Sequence, residues 1–163
     1  MEFSLGFAIA LLGGAMTAGL AAYGSSVGVG LAGEMAGGVI SEDPDRFGLM
    51  LILQALPATQ AIYGLVVAIL VMLKLNALGG SAVTNLALWP GLAIFAACVP
   101  AMFGELISPI WQGKVAVSSM GAVAKKPDTF GRALILPVMV ETFGLFALIA
   151  TLIILQVVIP DLS

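Results

Sequence analysis

Long apolar stretches separated by short polar breaks set the pattern of this chain. The breaks are 41–46 (SEDPDR), 76–85, rich in Gly and Ser, and 124–129 (AKKPDT). The apolar segments between them run over about 5–40, 47–75, 86–123 and 130–159. Each is longer than the ~20 residues needed to cross a bilayer. Lipid offers the backbone no hydrogen-bond partners, so each segment must satisfy its own as a helix. At 1.5 Å per residue several would reach about 45–55 Å and project beyond the hydrocarbon. The pattern predicts an all-α membrane protein with four transmembrane helices. The first stretch opens Met1-Glu2-Phe3-Ser4, without a basic flank, and stays apolar far beyond a signal-peptide core, so it reads as mature structure.

The halves superpose at an offset of 83: Glu141 falls on Ala58, and Pro127-Asp128-x-Phe130-Gly131 on Pro44-Asp45-x-Phe47-Gly48. Leu134-Ile135-Leu136 likewise falls on Leu51-Ile52-Leu53, Gly113 on Gly30, and Thr142 on Thr59. The chain is therefore a duplicated helical hairpin, 1–76 and 86–163. An even number of crossings separates the copies, so they are parallel repeats. That argues against transporter designs built on inverted repeats.

Composition agrees: 61% of residues are hydrophobic and 9% charged, against roughly 25% charged in soluble domains. There is no histidine, one cysteine (Cys98, in an apolar run) and no basic patch that would recruit nucleic acid. Of the six basic residues, Arg46, Lys114, Lys125, Lys126 and Arg132 lie in or toward the ends bearing the first and third breaks, and Lys74 lies near the second. The positive-inside rule then makes the first and third loops cytoplasmic, with both termini and the middle loop outside. Twenty glycines indicate close helix packing. Gly24, Gly28, Ala32 and Ala36, with Gly30, Gly33 and Gly37, give the first segment small residues along its length. Packing inside one bundle would account for them, and the crowded inner cylinder of a ring accounts for them better.

Charge inside a membrane marks function. Glu141 lies 12 positions after Thr129, Gln112 stands 12 before the third break, and Gln60 is 14 after Arg46. The loop-side ends share one membrane face, so the three groups sit at one depth, about 18–21 Å from it. Leu56, Thr59, Gln60 and Tyr63 share a helix face. Pro57 and Pro137 either bend their helices and free carbonyls, that of Leu56 among them, or supply plain curvature. One carboxylate surrounded by amide, hydroxyl and carbonyl oxygens suits one hard monovalent cation. A proton would need the carboxyl alone, so the extra oxygens favour Na+ over H+. The first hairpin has Ala58 in place of the acid, giving one ion per four helices.

The motifs Leu56-Pro57-Ala58-Thr59-Gln60-x-x-Tyr63-Gly64, Gln112-Gly113-Lys114 and Val140-Glu141-Thr142 closely resemble the proteolipid (K or c) subunits of V-type ATPases, in their sodium-translocating bacterial branch. The resemblance spans about Gly24 to Leu155. It implies a homo-oligomeric rotor ring in a bacterial plasma membrane, with segments 1 and 3 inside and 2 and 4 outside. It implies ligation of Na+ by the Leu56 carbonyl, Thr59, Gln60, Gln112 and Glu141, with Tyr63 closing the site. Thr142 and Glu105 are accessory candidates. The loops at 41–46 and 124–129 would dock on the central stalk. A stator membrane subunit would supply an arginine that displaces the ion, and the neutralised Glu141 would pass along lipid.

An acid at Glu105 departs from the family pattern. It reads as a hydrogen-bonded structural acid in preference to a group facing the ring lumen or an exit route. Glu34, near the cytoplasmic end of segment 1, is a candidate partner for Lys114. No GxxxxGK[ST] phosphate loop occurs, so ATP hydrolysis is assigned to partner subunits and the chain is read as non-catalytic. The rival readings are a self-contained membrane channel and a small cation transporter.

Overall fold

The computed structural model describes residues 3–78 and 84–158. The centre of the expected middle loop (79–83) and the chain ends, expected outside, lie outside the described residues. The helices are α1 (Leu5–Glu42), α2 (Phe47–Ala55), α3 (Thr59–Lys74), α4 (Leu88–Lys125) and α5 (Phe130–Val158). A 3-10 turn at Leu56–Ala58 joins α2 to α3. Four spans are long and apolar enough to cross a membrane: Leu5–Glu42, Pro44–Lys74, Leu88–Lys125 and Pro127–Val158.

The first and third polar breaks are shorter than their composition suggests, because α1 runs to Glu42 and α4 to Lys125. A residue before proline is driven out of the helical region. Asp43 (φ −140°, ψ 90°) and Lys126 (φ −141°, ψ 92°) comply almost identically, each leading into a 3-10 turn that opens on proline. Asp43 also accepts from Arg46 Nε at 2.7 Å, the one ion pair among the described residues. Asn76 follows the end of α3 with φ 50°, the left-handed conformation that asparagine tolerates at a helix terminus.

The two 38-residue helices, α1 and α4, pack on each other along their length, with α3 beside α1 and α5 beside α4. Gly6 meets Gly91, Gly24 meets Leu106, and Gly28 meets Pro109 and Gly113. The numbers rise together on both helices, so α1 and α4 are parallel. A Cβ on Gly28 would collide with the Pro109 carbonyl, so close backbone approach requires glycine there. The row Gly24, Gly28, Ala32 and Ala36 is buried, and packing inside one chain accounts for it without a ring. Gly30 and Gly37 have open space before them.

Two apolar cores result. One gathers Phe7, Val67, Val71, Leu75, Ile94, Cys98 and Leu148, and the other gathers Met50, Leu53, Met120, Val123 and Ala133. The level between them is where the polar side chains converge.

Candidate ion-binding site

Glu141 sits in α5, half-buried, with groups from α3 and α4 aimed at its carboxylate. Thr59 Oγ1 lies 2.8 Å from Oε1, and Tyr63 donates its phenol to the same oxygen at 3.0 Å. Gln112 Nε2 reaches Oε2 at 3.4 Å. Gln60 Nε2 donates to Gln112 Oε1 at 2.7 Å, which holds the Gln112 amide in place. The structure thus brings Leu56, Thr59, Gln60, Tyr63, Gln112 and Glu141 into one cluster.

Local geometry explains the presentation. Pro57 cannot donate a backbone hydrogen bond, and it sits within the 3-10 turn between α2 and α3. Thr59 opens α3 directly after that turn, with its hydroxyl 3.0 Å from the Leu56 carbonyl. Pro137 behaves differently: it stays inside an unbroken α5.

Oxygens converge around Thr59. Its Oγ1 has three acceptors in reach: Leu56 O at 3.0 Å, Gln60 Oε1 at 3.2 Å and Glu141 Oε1 at 2.8 Å. A hydroxyl has one proton to donate. Four oxygens, one of them on a carboxylate, gather here, and Tyr63 supplies a further proton to Glu141; oxygens of this kind could hold a hard cation. The set lacks the grouped Asp, Glu, His and Cys side chains of a transition-metal site; no such group of three occurs among the described residues.

Thr142 is not brought in. Its hydroxyl turns back to the Met139 carbonyl at 2.7 Å. This is the repeat equivalent of the Thr59–Leu56 contact, without an acid opposite. Glu105 differs from both sequence-based expectations. It faces neither a lumen nor a hydrogen-bond partner: it is fully buried (0% exposed), and both carboxyl oxygens lack a partner. A Cβ on Gly144 would stand 3.0 Å from Glu105 Oε2 and 3.3 Å from Ser108 Oγ, so this glycine leaves room for the acid. Ser108, which the sequence did not single out, donates to the Val140 carbonyl at 3.1 Å, tying α4 to the turn that carries Glu141. The pairing expected between Glu34 and Lys114 is absent; Lys114 Nζ lies 4.2 Å from the centre of the Trp111 ring instead.

A duplicated hairpin around one half-buried, hydrogen-bonded carboxylate defines a class of membrane proteolipid, and comparison with known proteins gives the family. Residues 12–71 and 95–154 each match the family model for the C subunit of ATP synthase. The chain belongs to this ATP synthase C-subunit family, as an integral membrane, non-catalytic component of a V- or A-type ATPase. It is 35% identical over 144 residues to the V-type sodium ATPase subunit K of Enterococcus hirae, across 88% of each chain. It is also 35% identical over 144 residues to the A-type ATP synthase subunit K of Methanocaldococcus jannaschii, across 88% of this chain and 60% of that one.

Proposed function

We propose that this chain is a rotor-ring subunit that carries Na+ across the membrane on Glu141. The observation behind the reading is the convergence of the Leu56 carbonyl, the Thr59 hydroxyl and the Gln60 amide oxygen beside the Glu141 carboxylate. Likeness to a subunit named for a sodium ATPase supports the choice of ion. Glu141 supplies the one negative charge that balances a monovalent cation. Leu56 O, Thr59 Oγ1 and Gln60 Oε1 supply neutral oxygens, and rotation of the Gln112 amide presents its own. Tyr63 bonds to Glu141 from α3 and closes the site.

In this reading identical subunits form a ring in a bacterial plasma membrane, with α1 and α4 inside and α3 and α5 toward lipid. The turns at 41–46 and 124–129 face the cytoplasm and dock on the central stalk, and both termini face outside. A stator arginine releases the ion by competing for Glu141. Elsewhere the occupied, neutral site passes along lipid, where an uncompensated charge would be costly.

The test is modification of Glu141 by a hydrophobic carbodiimide, with and without sodium, at moderately alkaline pH. Sodium is expected to slow labelling strongly, and the Glu141→Gln variant to show none at this position. Labelling indifferent to sodium would replace Na+ by H+ as the carried ion. Sodium leak through purified rings without partner subunits would point to a channel.

A further inference from the structure

The sequence repeat allows the α1–α4 contact inside one chain to be carried to a contact between chains. Ile107 and Trp111 of α4 stand 50% and 55% exposed. They lie two residues on either side of Pro109, each about 160° around the helix from it. Their equivalents one repeat earlier are Gly24 and Gly28. Those two glycines are buried against the backbone of Leu106, Pro109 and Gly113. Subtracting the same offset from that receiving face gives Tyr23, Ser26 and Gly30. All three lie on an open face of α1: Tyr23 is 61% exposed, Ser26 is exposed, and nothing stands within 4 Å of a Cβ on Gly30.

We infer that α4 of one copy packs in parallel on α1 of the next, with Ile107 and Trp111 seated against Tyr23, Ser26 and Gly30 of that second copy. The inference rests on the ring reading and names the residues that join its members. An apolar groove between α4 and α5, lined by Phe103, Ile107, Trp111 and Phe143, lies beside this face at the level of Tyr23 and takes its ring.

Charge complementarity selects a second copy as the occupant. Lys114 lies three residues past Trp111 on the same face of α4, and Glu34 lies four past Gly30 on the same face of α1. In parallel helices with Trp111 beside Gly30, both charges move one turn in the same direction and meet. Neither has an oppositely charged partner within one chain among the described residues. Lys114 instead rests on the Trp111 ring, already at the edge of the proposed contact.

Cysteine pairs test the geometry. In a Cys98→Ala background, Trp111→Cys combined with Gly30→Cys should oxidise to a ladder of disulfide-linked oligomers, because a disulfide needs Cα atoms within about 7 Å. Either cysteine alone should give dimers at most. Charge exchange tests the same contact independently: Lys114→Glu and Glu34→Lys should each lower the temperature at which purified rings dissociate, and the double variant should restore it. Native mass spectrometry of the unaltered protein separates the ring from the interface. A monomer in gentle detergent would overturn the ring itself. Intact rings with neither ladder nor charge rescue would leave the ring standing and overturn this interface.

Discussion

The hydroxyl of Thr59 lies 2.8 Å from Oε1 of Glu141, joining positions 82 apart in the chain. The repeat makes Thr142 the equivalent of Thr59, and both hydroxyls reach the carbonyl three residues back, Leu56 and Met139. Only Thr59 has a carboxylate across from it. The first hairpin supplies neutral oxygens and the second supplies the charge, so one site forms from two copies of one motif.

Thr59→Ala removes a short hydrogen bond to the carboxylate and a candidate ligand. A hydrogen bond to a charged group contributes about 1.5–3 kcal/mol, so sodium affinity should fall about 10- to 100-fold. Radioactive sodium binding to the purified protein measures this, and Thr59→Ser should recover most of the loss. Unchanged affinity in Thr59→Ala would remove Thr59 from the ligand set.

Tyr63→Phe keeps the ring and loses the phenol that donates to Glu141 at 3.0 Å. If Tyr63 closes the site, sodium release should become about tenfold faster, while the fold is unaffected. Rapid-dilution release kinetics would read this. A release rate equal to that of the parent protein would assign the phenol to packing alone.

Two glycines in α1 should respond oppositely to alanine. A Cβ at Gly28 meets backbone of Pro109 and Gly113, and one at Gly30 meets nothing within the chain. Gly28→Ala should destabilise the subunit by about 1–3 kcal/mol through forced separation of α1 and α4. Gly30→Ala should leave the stability of a single subunit unchanged. Unfolding in detergent-solubilised subunits compares them, and equal losses would contradict the packing described.

Glu105→Leu replaces a fully buried carboxyl whose two oxygens have no partner. An unsatisfied buried polar group costs about 1–3 kcal/mol, so the variant should unfold later than the parent by a corresponding margin. Sodium binding should be retained, because Glu105 makes no hydrogen bond to the Glu141 cluster. A loss of binding would instead give Glu105 a role in holding the ion.

Much of the site was legible because membrane helices impose simple arithmetic. A rise of 1.5 Å per residue and a shared loop-side face place Gln60, Gln112 and Glu141 at one depth, and the chain of hydrogen bonds joins all three. Spacing along one helix grouped Leu56, Thr59 and Tyr63. Neighbours that depend on which way a side chain turns were not legible. Thr142 has the right type and the adjacent position, yet its nearest acceptor is its own helix. Ser108 carried no signal, because serine in an apolar helix commonly bonds its own backbone, and the bond to Val140 exists only through α4–α5 packing.

Four helices, their duplication, the placing of Glu141 opposite Ala58 of the first hairpin and the depth at which polar groups gather all follow from the order of residues, because lipid admits few backbone solutions and repeats preserve spacing. Which faces meet was settled by packing in three dimensions. Packing turned the Gly24–Gly28 row inward against α4 and left Gly30 open. It enclosed Glu105 without a partner, left Glu34 and Lys114 unpaired with each other, and set Thr59 against Glu141. Those outcomes depend on the rotation of each helix about its axis, which contact between helices fixes and periodicity along one chain leaves free.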